Sequence, residues 1–211
     1  RLVDDGHASD AVPVFKRLLE KYPAHPILLT ELAHAYLAAD EPKQAIEVLT
    51  PLRGSKAFEV NQYALLGSAL DATGDKVKAL AAFEEGLAKF PQAGELYTNA
   101  GITALNTKQF DKAISYFENG IAADPMHPSN YFFAADMYAD SDKKMWALIY
   151  GEVFMNLERG TQRTERMSKI LDDTFRRAVQ IDKTSDGKTK ISVSLNKAIT
   201  IHGQPDAHDL P

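Results

Sequence analysis

The chain has 211 residues, is 45% hydrophobic and 25% charged, and carries a formal net charge of −5. That composition suits a globular protein with room for one large or two small domains, and the acidic balance gives no reason to expect nucleic-acid binding. The absence of cysteine excludes disulfides, thiolate metal sites and a cysteine nucleophile, and no apolar run approaches the ~20 residues of a membrane span.

Charge is uneven along the chain. Residues 1–140 hold 12 Lys+Arg and 19 Asp+Glu, a net of −7, whereas residues 141–211 hold 12 and 10, a net of +2. This predicts a change of architecture near residues 140–160. The opening RLVDDGHASD is not a signal peptide and has no initiator Met, so an N-terminal segment is expected to have been removed.

The first element in chain order is a helix over about 8–22, carrying Ala11 and Phe15 on one face and closed by Pro23. Four helical pairs follow, starting near Pro26, Val60, Gly94 and Pro128, with a period of 34 residues. KALAAFEEGLAKFP at 78–91 and KAISYFENGIAADP at 112–125 match at Lys, Ala, Leu/Ile, Phe, Glu, Gly, Leu/Ile, Ala and Pro. Alanine recurs as Ala11, Ala45, Ala79, Ala113 and Ala147. Four residues after each stand Phe15, Leu49, Phe83 and Phe117, until the pattern breaks at Gly151. Twelve residues before the later four alanines stand Ala33, Gly67, Gly101 and Ala135, and four before those Leu29, Tyr63, Tyr97 and Tyr131.

A small residue on one helix lets its partner approach closely. An aromatic four residues from the periodic alanine fills the remaining space, because i and i+4 share a helix face. Gly74-Asp75 predicts a turn between two such helices. Pro51 predicts a kinked or shortened second helix in the unit that begins at Pro26, since proline lacks the N–H and clashes with the preceding turn. Gly151 removes an expected aromatic, for which Trp146, Tyr150 and Phe154 are expected to compensate. A single hairpin of this kind cannot bury its apolar face alone, so the period predicts a stack.

The repeat stops after residue 158, because its next small residue would fall at Lys169. Thr161 is placed to cap a further helix over 161–180. Its Met167, Ile170, Leu171, Thr174, Phe175, Ala178 and Val179 form one stripe that is expected to cover the last unit. Residues 181–211 read as an extension. Ser185-Asp186-Gly187 signals a turn, Ile191, Val193 and Leu195 alternate as a strand, and Ile199 with Ile201 suggests a second.

Over residues 1–158 this pattern resembles the tetratricopeptide repeat (TPR) family, whose motif has a small residue in its first helix, an Ala and an aromatic in its second, and a closing Pro. The resemblance implies an all-α fold: a right-handed superhelical α-solenoid of helix-turn-helix units, here with a C-terminal capping helix and a short β-like tail. It also implies a concave groove, lined by the first helices, that commonly holds a peptide. Carried over position by position, the groove candidates are Thr30, His34, Ala64, Ser68, Asp71, Thr98, Asn99, Ile102, Phe132 and Asp136. Phe133 is adjacent to Phe132, and at most one of the two is expected to face a ligand. TPR modules that bind acidic tails carry a Lys/Asn clamp; Asn99 is present here but no Lys or Arg joins it. With Asp71, Asp136 and Asp140 nearby, the implied partner is an uncharged or basic protein or peptide segment. The stretch MWALIYGEVFMNLERGTQRT resembles the ends of bacterial TPR proteins, some of them exported, which points to a bacterial source and favours the periplasm over the cytoplasm.

Nothing in the sequence predicts catalysis, a cofactor or a metal. The histidines His7, His25, His34, His127, His202 and His208 form no ligand pair, and no GxSxG, P-loop or GxGxxG occurs. His25 and His127 precede prolines and read as loop residues. The basic group Arg159, Arg163, Arg166, Arg176 and Arg177 is expected to be balanced by Glu158, Glu165, Asp172 and Asp173 rather than to bind an anion. The expected function is a non-catalytic scaffold that binds a protein or peptide. The alternatives are a self-assembling subunit, with the chain as a homo-oligomer, or an accessory domain of a larger protein.

Overall fold

Proline and the residue before it decide where several helices begin. The computed structural model describes residues 8–56, 58–183 and 189–194. In it His25 and His127 hold extended backbone and occupy the N-cap positions of α2 (Pro26–Ala38) and α8 (Pro128–Ala139), with the proline in the first turn where no N–H is required. The chain divides into two compact units, 1–125 and 126–211.

The first unit contains α1 (Ala8–Lys21), α2, α3 (Pro42–Leu49), α4 (Val60–Ala72), α5 (Lys76–Lys89), α6 (Gly94–Asn106) and α7 (Phe110–Ala123). The first helix of each pair ends in one repeated hydrogen-bond pattern. Glu41 N–H donates to Tyr36 O, Asp75 to Leu70 O and Gln109 to Ala104 O, each spanning a residue at positive φ: Asp40 at 59°, Gly74 at 88° and Lys108 at 59°. This is a Schellman ending, which satisfies the last carbonyls of the helix and turns the chain into its partner. Asp75 then caps α5 by accepting from the Lys78 N–H.

Close approach within each pair depends on the absence of a side chain. A Cβ built on Gly67 would lie 2.2 Å from the Phe83 ring, and one on Gly101 would lie 2.3 Å from Phe117. The periodic Ala11, Ala33, Ala45, Ala79 and Ala113 are all fully inaccessible, and Leu49, Tyr63, Phe83, Leu96 and Phe117 fill the core between them. Phe15 is partly buried against that core.

Pro51 shortens α3 to eight residues, followed by a 3₁₀ turn at Thr50–Leu52. The diverted loop is held on α5. Arg53 Nε donates to Glu85 at 3.0 Å, Arg53 Nη2 pairs with the same carboxylate, and Tyr63 donates to it at 2.8 Å. The Arg53 guanidinium, helped by the Tyr63 hydroxyl, holds the Glu85 carboxyl at about 2, well below the usual range. Phe58 closes the loop by an edge-to-face contact with Tyr63, centroids 4.6 Å apart.

The second unit contains α8, α9 (Lys144–Leu157), α10 (Gln162–Ala178), β1 (Val179–Lys183) and β2 (Thr189–Val193). Ala135 and Ala147 are fully buried between α8 and α9. The place of the aromatic missing at Gly151 is taken from α10: a Cβ there would lie 2.6 Å from Leu171 and 3.0 Å from Met167. Of the residues expected to compensate, Phe154 is fully buried, whereas Trp146 is 42% exposed and lies against Tyr150. Lys169 is exposed. Thr161 and Thr164 form a reciprocal capping box that starts α10.

The partner of β2 is the segment directly after α10, with Ile181 opposite Ile191. The helix therefore ends at Ala178, and Ser194 N–H donates to Ala178 O at 2.7 Å where the hairpin closes. Ser185-Asp186-Gly187, Ile199 and Ile201 lie outside the described residues.

The two kinds of glycine make different predictions. Gly101→Ala should cost about 1–3 kcal/mol by overpacking against Phe117. Gly74→Ala meets no atom and should cost about 1 kcal/mol through its positive φ alone. Urea unfolding midpoints test this; a Gly101→Ala protein as stable as the parent would mean that the Phe117 ring does not occupy that notch.

Candidate functional site

Ser68 of α4 and Asn99 of α6 meet at one concavity. It has a volume of about 130 Å³ and is lined by Ser68, Asp71, Ala72, Phe83, Asn99, Ile102 and Thr103. Ser68, Asp71, Asn99 and Ile102 are groove positions implied by the resemblance; Ala72, Phe83 and Thr103 are additional. Ser68, Asp71, Asn99 and Ile102 are all half-buried, and Phe83 of α5 is 1% exposed and forms apolar floor.

Polar groups in this concavity differ in how far they are engaged. Asp71 is paired within the protein: one oxygen accepts from Thr103 Oγ1 at 2.8 Å, the other from Lys76 Nζ at 2.6 Å, and Lys76 also donates to the Asp71 carbonyl at 3.0 Å. The Ser68 hydroxyl and the Asn99 amide have no hydrogen-bond partner among the described residues, so together they offer donors and acceptors beside apolar Ala72 and Ile102.

Other candidates in the first unit are placed differently. Thr30 is 4% exposed; its hydroxyl donates to Pro26 O and accepts from Gln62 Nε2 of α4, both at 2.9 Å, so it aligns two helices. Thr98 is 6% exposed and donates to Gly94 O at 3.1 Å. Ala64 is buried and His34 is exposed.

In the second unit, Phe132 is 3% exposed. Its ring packs on Phe133 and Phe154 at 5.3 and 5.2 Å, beneath the Arg163 and Arg166 guanidinium groups at 5.5 and 5.3 Å. These are covering contacts from α10. Asp136 pairs with Arg166 at 2.6 Å and Asp140 with Arg177 at 3.2 Å. Arg163 pairs with Glu158 and donates to Ser129 at 2.9 Å, and Arg176 pairs with Asp172 at 2.8 Å. The arginine group is therefore largely neutralised, by Glu158 and Asp172 as expected and by Asp136 of α8 and Asp140 at its C-cap as well. Glu165 and Asp173 do not supply those ion pairs. No group of three potential metal ligands occurs among the described residues, and no described helix is long and apolar enough to cross a membrane.

Tetratricopeptide-repeat family models match residues 2–70 and 64–128, which together span more than half of the chain. The chain belongs to the tetratricopeptide-repeat family. Solved TPR-type structures share the fold. TTC0263, a thermophilic TPR protein of Thermus thermophilus, is 20% identical over 81% of this chain and 93% of its own, with a TM-score of 0.67. PilF of Pseudomonas aeruginosa is 21% identical over 82% and 80%, with a TM-score of 0.65. MamA is 22% identical over 80% and 95%, with a TM-score of 0.60. No curated protein sequence matches the chain. The fold is thus an all-α TPR solenoid carrying a short two-stranded tail.

The residues missed by sequence reasoning are Ala72, Thr103 and Lys76, and Phe83 was read as packing alone. A signal for Thr103 was present: one and two repeats earlier its position holds Ala69 and Ala35. Asp71 likewise stands where neighbouring repeats have Leu37 and Leu105.

The burial of Phe132 yields a stability prediction. Phe132→Ser should lower stability by about 3–5 kcal/mol, the cost of emptying an aromatic core site, with a matching fall in the thermal midpoint. An unchanged midpoint would mean that the ring is open to solvent or ligand.

Proposed function

We propose that this TPR protein is a non-catalytic scaffold that binds an extended peptide segment at the α4–α6 concavity. One observation carries the reading: uncommitted Ser68 and Asn99 side chains stand beside an apolar floor of Phe83, Ala72 and Ile102. A peptide main chain presents alternating N–H and C=O groups, which an amide can bind in both directions. An apolar side chain of the same peptide would bury against the floor. The volume of about 130 Å³ suits one such side chain. TPR membership supports protein interaction as the general class.

The ion pairs narrow the partner. Asp136 and Asp140, which suggested a basic ligand, already hold Arg166 and Arg177, and Asp71 holds Lys76. An uncharged segment is the chemistry that remains.

A random peptide library displayed on phage and panned against the chain tests this. Peptides it enriches should bind Ser68→Ala/Asn99→Ala at least about tenfold more weakly, the loss of one to two hydrogen bonds, with no change in thermal midpoint. Equal binding by the double variant would place the peptide elsewhere.

A further inference from the structure

The repeat supplies its own control for residues that the fold does not require. Asp71, Thr103 and Lys76 form one connected group at the α4–α6 concavity. In the flanking repeats, the positions of Asp71 are Leu37 and Leu105, those of Lys76 are Pro42 and Phe110, and Thr103 stands where Ala69 and Ala35 occur. Those pairs fold without any of the three. In the second unit the counterpart of Lys76 is again a lysine, Lys144, but the counterpart of Asp71 is Ala139. All three places hold polar residues where the flanking repeats hold apolar ones, and Thr103 and Lys76 converge on the Asp71 carboxylate.

The geometry assigns a division of labour. Thr103, within the lining, donates to Asp71 Oδ1 and holds the carboxylate toward the concavity. Lys76 is outside the lining, at the first position of α5, and reaches Asp71 Oδ2 and the Asp71 carbonyl. A carboxylate oxygen has room for a second donor, so the concavity can still accept an N–H. It cannot easily accept a cation, which would have to share the carboxylate with the Lys76 ammonium at 2.6 Å and meet like charge.

We propose that Lys76 is a specificity-determining residue: by neutralising Asp71 it makes the concavity select uncharged peptide segments and reject Lys and Arg at the position that lies over Asp71. This rests on the peptide-binding reading above. Asp71 is the acceptor for a neutral donor, Thr103 its positioning residue, and Lys76 the group that excludes a basic side chain without touching the ligand.

The test is a lysine scan of a peptide enriched on the parent chain, measured by fluorescence anisotropy at pH 7.5 against the parent, Lys76→Met and Lys76→Met/Asp71→Asn. For the parent, lysine at one peptide position should weaken binding by about tenfold, the scale of one charged contact. With Lys76→Met the same lysine should strengthen binding relative to the unsubstituted peptide. With Lys76→Met/Asp71→Asn that gain should disappear. A scan on Lys76→Met that matches the parent at every position overturns the proposal while leaving peptide binding intact. If panning enriches no peptide on the parent, both the proposal and the reading beneath it fall. Thermal midpoints of the variants, expected within about 4 °C of the parent because the partly exposed Lys76–Asp71 pair contributes about 1 kcal/mol, separate lost binding from lost folding.

Discussion

In the first unit the Phe83 ring occupies the space where a side chain on Gly67 would stand, and Phe117 does the same at Gly101. Everything else there is arranged around these two contacts. They set how closely paired helices lie, and that distance brings Ala79 and Ala113 to full burial. Tight pairing then places Phe83 deep enough to serve as floor for the concavity above it. A dense core tolerates neither an added methyl nor a missing ring, so the period in the sequence is the record of a packing constraint.

On the proposed reading, function lies where a repeat departs from its copies. The contact set that folds a TPR pair recurs and is therefore uninformative about a ligand. Asp71, Thr103 and Lys76 do not recur together, and they converge on a concavity that also holds the uncommitted Ser68 and Asn99. In the second unit a departure has a packing explanation instead. Gly151 lacks the aromatic of the other pairs because Leu171 and Met167 of α10 take its space. Each departure must be judged by what it touches.

The fold was legible because its determinants are local or periodic. Alanine and glycine positions at a fixed interval, Pro51 within a helical pattern, and Thr161 before an apolar stripe each act within a few residues. Less legible were features decided by a partner far along the chain. The turn residues Asp40 and Lys108 adopt positive φ without being glycine, because the Schellman ending imposes it. β2 pairs with a segment that an amphipathic pattern had assigned partly to the helix. Phe132 shares its position type with groove residues, yet arginines from α10 cover it. Asp136 and Asp140 looked available until Arg166 and Arg177, at least 30 residues away, were seen to reach them.

The central claim is that peptide recognition is localised to the α4–α6 concavity. Hydrogen exchange of the full chain, with and without a saturating enriched peptide, tests it directly. The account predicts added protection confined to the peptide amides of α4 and α6, centred on residues 68–72 and 99–103. Protection confined to residues 128–178, or none at all despite bound peptide, would contradict it.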